Sequence, residues 1–266
     1  MTAAMTSPLD VFAALHDDLL VLPNAWDAAS ARLFERAGAP AVATSSSAVS
    51  WVHGVPDGNH LDADLALAAA ARVVAAVRVP VTADIESGYA DGPEQVAASV
   101  RRFADAGVVG INLEDARDGA LVEEGRAAEA VAAAAGTGLW VNARTDVYLL
   151  GGTGEEAFAE TVSRAAAYVA AGAGSVFVPG LLDLAVLARL TAAIAAPVNV
   201  LAAAGGPTAA QLRAAGVRRI SVGNDVASLA YATAVASARD ILEHGRFDSL
   251  AGGLDFGDMQ TLWHAG

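Results

Sequence analysis

Three short runs of the chain put polar and charged residues at every second position: VTADIE over 81–86, GINLED over 110–115 and LWVNARTD over 139–146. In an extended strand alternate side chains share a face. Thr82, Asp84 and Glu86 then face one way, as do Asn112 with Glu114 and Asn142 with Arg144, while Asp146 follows just beyond the third run. If the runs are neighbouring strands, three carboxylates, two amides and one guanidinium meet at one place. Burying unpaired charge costs several kcal/mol or more. Arg144 cannot neutralise Asp84, Glu86 and Glu114 alone, but a hard divalent cation with oxygen ligands can. The cluster contains no histidine, which favours Mg2+, or Mn2+, over Zn2+. The alternative is a salt-bridged polar plug, with Arg144 paired to Glu114 and Asp84 capping a loop.

Short β-branched runs alternate with Ala-rich amphipathic stretches, the pattern of βα units and a parallel sheet. Strands are predicted at Leu20–Pro23, Ala41–Ser45, Val79–Ile85, Val108–Glu114, Leu139–Arg144, Ser175–Val178, Val198–Leu201 and Arg219–Val222. Asp27, Gly92-Pro93 and Gly154 open helices that Gly38, Gly107 and Gly172 close. One joint recurs in ERAGAPAVAT, ADAGVVGINLE, VAAGAGSVFVP and RAAGVRRISVG: helix end, glycine, short link, strand. Eight such units in about 250 residues fit a (β/α)8 barrel, whose functional groups collect at the carboxyl ends of its strands. A doubly wound sheet is the runner-up, but PNAWDAAS, after the first strand, lacks the dinucleotide GxGxxG turn, which also disfavours a dehydrogenase. No linker divides the chain, so residues 1–266 read as one domain. The segment at about 240–266 is expected to cap the barrel or dock on a neighbouring subunit.

The 266 residues include 30 acidic and 16 basic ones, giving a net charge of −14. That balance argues against nucleic-acid binding. Every basic residue is arginine: the absence of lysine excludes Schiff-base and pyridoxal chemistry and the P-loop lysine. The absence of cysteine excludes disulfides, thiolate nucleophiles and cysteine zinc sites. The N-terminus lacks the pattern of a secretory signal, and the uncharged stretch from Thr191 is broken by Pro197, Gly205, Gly206 and Pro207, so no membrane span and a cytoplasmic location are expected.

The stretches PNAWDAASARLFERAG, AVATSSSAVSWVHGVPDG, VPVTADIESGYADGPEQV, GVVGINLEDA, NARTD, PVNVLA and RRISVG resemble, in order, the isocitrate lyase and phosphoenolpyruvate mutase superfamily. The resemblance implies a (β/α)8 barrel with a last helix swapped between subunits of a homo-oligomer, a dimer or tetramer. It implies Mg2+ held directly or through water by Asp84, Glu86 and Glu114. It also implies binding of a 2-oxo acid carboxylate by Arg144 and the Ser45–Ser46 backbone, with Asp57 near the reacting centre. Asn112, Asn142 and Asn199 are further candidate substrate contacts. The implied activity is a Mg2+-dependent lyase that breaks a C–C bond next to C3 of a small 2-oxo acid, or decarboxylates it. P–C cleavage, or a barrel that binds a small acid without turnover, is the alternative.

The sequence departs from the family pattern in places. The usual second aspartate of the acidic motif is Glu86, and the last glycine of its Gly-Tyr-Gly is Ala90. The Lys-Lys-Cys-Gly-His gating loop of the lyases is replaced by DARDGALVEEG, which excludes their usual proton donor. The lysine and asparagine of the mutase loop are missing as well. His53 and His60, flanking Asp57, and Tyr89 are therefore the candidate groups for proton transfer. His16, His244 and His264 are expected on the surface, and Trp26 is expected in packing or at the mouth.

Overall fold

The computed structural model describes residues 7–263. Helix α1 (Pro8–Ala14) leads to strands β1 (Leu20–Leu22) and β2 (Asn24–Ala25), then α2 (Ala28–Arg36), β3 (Val42–Thr44), α3 (Ser46–Val52) and α4 (Ala63–Ala76). Strand β4 (Val81–Asp84), α5 (Pro93–Asp105) and β5 (Gly110–Glu114) follow, then a hairpin of β6 (Ala116–Arg117) and β7 (Ala120–Leu121). The chain continues through α6 (Glu124–Ala135), β8 (Trp140–Arg144), α7 (Gly154–Ala170), β9 (Ser175–Phe177), α8 (Leu184–Ala193), β10 (Val198–Leu201), α9 (Ala209–Ala214) and β11 (Arg219–Ser221). It ends in α10 (Asp225–His244) and α11 (Phe256–Thr261).

Nine parallel strands pair in the order β1-β11-β10-β9-β8-β5-β4-β3-β2. Both ends of this sheet belong to one stretch of chain. Proline has no N–H to give a ladder, and Pro23 splits the first stave into β1, which pairs with β11, and β2, which pairs with β3. The sheet therefore wraps into a nearly closed barrel of eight staves, one for each predicted strand.

The recurring joint has a common geometry. Gly38, Gly107, Gly172 and Gly216 all take positive φ, between 89° and 100°. The residue after each donates back to a helix carbonyl, as in Val108 N to Phe103 O at 3.1 Å and Ala173 N to Tyr168 O at 2.9 Å. This is a Schellman stop, which favours glycine at the left-handed position.

The strand parity read from sequence holds on the helix side. Ala83, Ile85, Ile111, Leu113, Val141 and Ala143 are buried in one cluster with Val100, Phe103 and Val131 of the surrounding helices. The floor of the barrel holds Phe12, Leu20, Leu22 and Ala43. His16, expected at the surface, is instead buried, its ring stacked on Trp140 at 4.5 Å between centroids. His16 sits in the turn after α1, one helical turn beyond Phe12, and follows it into the barrel floor: the two rings meet edge-on at 5.0 Å. Trp26 packs edge-on against Phe34 at 6.2 Å, the packing role.

From the last turn of α10 onward the chain leaves large apolar side chains exposed, Leu242 at 83% and Phe256 at 77% among them. Its end returns to α2, where Arg32 Nε donates to Leu262 O at 2.9 Å. His244 is exposed near Asp240; His264 lies outside the described residues. No described helix is long and apolar enough to cross a membrane.

Candidate active site

Register brings the polar residues to one end of the barrel. Asp84 pairs with Asn112, and Asn112 with Asn142; two residues further along, Glu114 pairs with Arg144. These are the carboxyl ends of β4, β5 and β8, three adjacent staves.

Arg144 is the cation among these acids. Its Nε and Nη2 donate side-on to Asp146 at 2.6 and 2.9 Å, and its Nη1 is ion-paired with Glu114 Oε2 at 3.0 Å. Of the five guanidinium N–H groups, the bonds to Asp146 use two. Burial would lower the guanidinium's proton affinity, but Glu114, Asp146 and Asp84 raise it above the ordinary value, so the charge is permanent. Burial pushes Glu114 up to about 8, against the pull of Arg144, with Asp84, Asp146 and Glu86 adding repulsion. The ion pair of the plug reading is present, and acid still exceeds base around it.

Asp84 is anchored at both oxygens. Oδ1 accepts from Glu86 N at 3.1 Å and Oδ2 from Asn112 Nδ2 at 3.3 Å. Burial raises its carboxyl above the usual range, opposed by Arg144 and these bonds and reinforced by Asp57. The Asn112 amide is oriented from below, because its Oδ1 accepts from Asn142 Nδ2 at 2.8 Å and from Arg219 Nη2 at 3.1 Å. Asn142 Oδ1 accepts in turn from Ser175 Oγ at 2.7 Å, and Asn199 donates to Ser221 at 3.3 Å. The three amides are therefore placed in internal hydrogen bonds of the barrel.

Glu86 does not continue the strand alternation. Strand β4 ends at Asp84, and Glu86 takes a left-handed backbone with φ 51°, as does Tyr89 with φ 54°. Such values are uncommon for side-chain-bearing residues and cluster at functional loops. The turn buries the Glu86 side chain, whose carboxylate accepts from Asn59 N–H and from Tyr89 Oη at 3.4 Å. Burial pushes Glu86 up to about 7, with the Asn59 bond opposing and Asp57 and Asp84 reinforcing. Burial and these acids also raise the Tyr89 phenol, holding it protonated. Asn59 also accepts from Ser87 Oγ at 2.8 Å, so the loop carrying Asp57 lies against this turn. Asp57 itself is exposed.

Ser45 caps α3, accepting from Ala48 N at 3.4 Å, and Ser46 begins that helix beside Asp84 and Tyr89. His53 and His60 are exposed and have no described bond to the carboxylates. A cavity of about 100 Å3 opens beside Glu114 and Arg144, with Ser87, Arg117, Val122 and Tyr168 among its walls.

The donor set suits a hard cation, since it consists of oxygens and holds more carboxyl groups than cations, and burial with mutual repulsion raises the proton affinity of those carboxyls. Among the described residues, no three Asp, Glu or His side chains stand close enough to hold an ion by themselves. The mode that fits is the one Mg2+ commonly adopts, with one or two carboxylates and the remaining positions filled by waters or ligand oxygens.

Two parts of the site escaped the sequence reading. Arg219 is fully buried, its Nε and Nη1 have no described partner, and burial pulls its guanidinium down to about 9 while Asp84 opposes. Its position, alternating with Ile220 in RRISVG, was the available signal. Asp115, next to Glu114, turns to the helix side and binds Arg164 and Tyr168 of α7. Nothing in the local spacing links residues 115 and 168.

A family profile described as phosphoenolpyruvate phosphomutase matches residues 12–242 of this barrel. The chain belongs to the phosphoenolpyruvate phosphomutase family. Its membership places it in the wider isocitrate lyase and phosphoenolpyruvate mutase superfamily. It is similar to an uncharacterized protein of Mycobacterium tuberculosis H37Rv, 39% identical over 225 residues, which cover 83% of this chain and 84% of that protein. A solved structure from Burkholderia cenocepacia J2315, provisionally named a phosphonomutase, is 40% identical with TM-score 0.85, covering 87% of this chain and 99% of that one. A 2-methylisocitrate lyase of Aeropyrum pernix is 28% identical over 192 residues, covering 68% of this chain and 60% of that enzyme. The family's barrel thus extends over nearly the whole described chain.

Proposed function

We propose that this family member is a divalent-cation-dependent lyase that cleaves the bond beyond C3 of a small 2-oxo acid. The carrying observation is Arg144, held by Asp146 along one side of its fork, beside an excess of acids that includes the anchored Asp84. A guanidinium fixed in this way can receive a carboxylate in two parallel hydrogen bonds. A cation such as Mg2+, when bound, would supply stabilisation of negative charge developing on the 2-oxo oxygen. Asp84 would hold it, with Asp57, Glu86 and Glu114 contributing through water. Asn112 keeps the Asp84 carboxylate in place, and Arg219 and Asn142 keep Asn112 in place. Tyr89, protonated and beside Glu86, is the best-placed proton donor at the mouth. Ser45 and Ser46 border the same mouth and would contact the substrate's carboxylate through their backbone.

The relatives support a C–C lyase or a P–C bond enzyme as the kind of reaction, since the 2-methylisocitrate lyase and the phosphonomutase-named protein bracket both. The loop after β5 gives weight to a second reading. It is a short hairpin with no lysine, cysteine or histidine, tied by Arg117 to Ser87 and Ala90, and a barrel that binds a small acid without turnover would look the same. A turnover screen over oxaloacetate, phosphonopyruvate and methylisocitrate with Mg2+ separates them. One reproducible substrate supports the lyase reading and identifies the bond broken; binding without turnover of any favours the second.

A further inference from the structure

A chain of buried hydrogen bonds runs from the outer helix layer to Arg144. On α7, Arg164 and Tyr168 are one turn apart and point at the same carboxylate. Tyr168 Oη donates to Asp115 Oδ2 at 2.7 Å and Arg164 Nη1 to the same oxygen at 3.2 Å. Arg164 is fixed by Glu160 Oε1 at 2.7 Å, Val122 O at 2.9 Å and Tyr168 Oη at 3.3 Å. The other oxygen of Asp115 accepts from the backbone N–H of Asp146 at 2.9 Å. Asp146 then takes Nε and Nη2 of Arg144. Asp115, Asp146, Arg164 and Tyr168 are each at most 5% exposed.

We infer that Asp115, held by Arg164 and Tyr168, is a positioning residue that sets the angle of the Arg144 fork through Asp146. A staple between the β5 loop and α7 would need only the Oδ2 bonds. The Oδ1 bond reaches instead to the backbone two residues past Arg144, and so fixes where the Asp146 carboxylate stands. With Asp115 turned away, Asp146 can swing and Arg144 loses the side-on partner that aims its free N–H groups. The same Arg164 nitrogen holds Val122, so the wall of the cavity beside Arg144 and the fork itself are set together.

The inference rests on Arg144 as the carboxylate binder, and its test has an arm independent of that role. In protein labelled with 15N-arginine, the Arg144 Nε–H resonance is identified by its loss in Arg144→Lys. Asp115→Asn leaves one oxygen to serve either the Asp146 N–H or the Arg164–Tyr168 pair, so one end of the chain loses its acceptor; Tyr168→Phe removes the 2.7 Å bond to Asp115 and the 3.3 Å bond from Arg164 but keeps the Asp115 carboxylate. Exchange of the Arg144 Nε–H with solvent is expected to quicken about tenfold or more in Asp115→Asn and by less in Tyr168→Phe. Oxalate affinity with Mg2+ should fall roughly 10–100-fold in Asp115→Asn, and for any substrate turned over KM should rise by a similar factor with kcat little changed. Asp115→Glu should recover part of both effects. If both variants lose melting temperature while Nε–H exchange and oxalate affinity stay as in the parent, the chain is only a staple and the inference fails. If the parent binds no oxalate, the proposed function fails, and the exchange arm alone decides the positioning. If Asp115→Asn does not fold, Tyr168→Phe carries the same test.

Discussion

Arg144 and Asp84 divide the work of the proposed site between a rigid fork and an anchored oxygen ligand, and each predicts its own defect. Lysine keeps the charge of Arg144 but not the planar fork, so Arg144→Lys should raise KM for a 2-oxo acid, or weaken oxalate binding, by roughly 10–100-fold, about 1.5–3 kcal/mol. Calorimetry with oxalate measures this directly; unchanged affinity would mean that the carboxylate is held elsewhere. His16 gives a prediction of a different kind. Burial, with Arg219 nearby, pushes its imidazole down from 6.5 to about 4. Between those values the unfolded chain binds the proton and the folded one does not, so stability is full above about pH 6.5 and falls as the pH drops to about 4, by about 3 kcal/mol. His16→Phe should remove that slope. Comparing urea melts of parent and variant between pH 7 and 4 isolates the imidazole from buried Glu86 and Glu114, whose raised values act in the opposite sense. Parallel curves would show that His16 does not carry the effect.

At the scale of elements, the four glycine joints share a backbone but not surroundings. A Cβ on Gly38 would meet open space, whereas on Gly216 it would stand 2.4 Å from Thr191 Oγ1. Alanine at Gly38 should cost only the left-handed strain, about 1–2 kcal/mol, and alanine at Gly216 clearly more, roughly 2–4 kcal/mol. Equal losses in urea denaturation would mean that neighbours do not matter at these joints. The joints were legible in sequence because a helix stop needs a glycine at a fixed place. The staves were legible because each alternates, from Ala83 and Ile85 outward to Thr82 and Asp84 inward. Alternation ends where the strand does, and for this reason Glu86, reached through a left-handed turn, was placed on the strand face when it belongs to the loop. The pairing of Asp115 with Tyr168 was invisible because it depends on how α7 packs on the β5 loop, which no local pattern encodes.

Two features belong to the whole molecule. Leu242, Phe247, Leu254 and Phe256 lie more than half exposed near the C-terminus. Large apolar side chains exposed together in one segment are a feature of interaction surfaces, and the proposed occupant is a second copy of the chain, as the family resemblance implies. Sedimentation velocity should find a dimer or tetramer, and Leu242→Glu with Phe256→Glu should shift it toward monomer; a monomeric parent would contradict this. The net charge of −14 also repels an anionic substrate at long range. Moderate salt should therefore lower KM until it screens the local attraction of Arg144.

The central claim is that a divalent cation and Arg144 together hold a small 2-oxo acid at the mouth of the barrel. Titrating oxalate by calorimetry into the metal-free protein, the same protein with Mg2+, and Asp84→Ala with Mg2+ tests it most directly. Binding is expected only in the second case, with the variant still folded and melting cooperatively. Equal binding with and without Mg2+, or undiminished binding in Asp84→Ala, would contradict it.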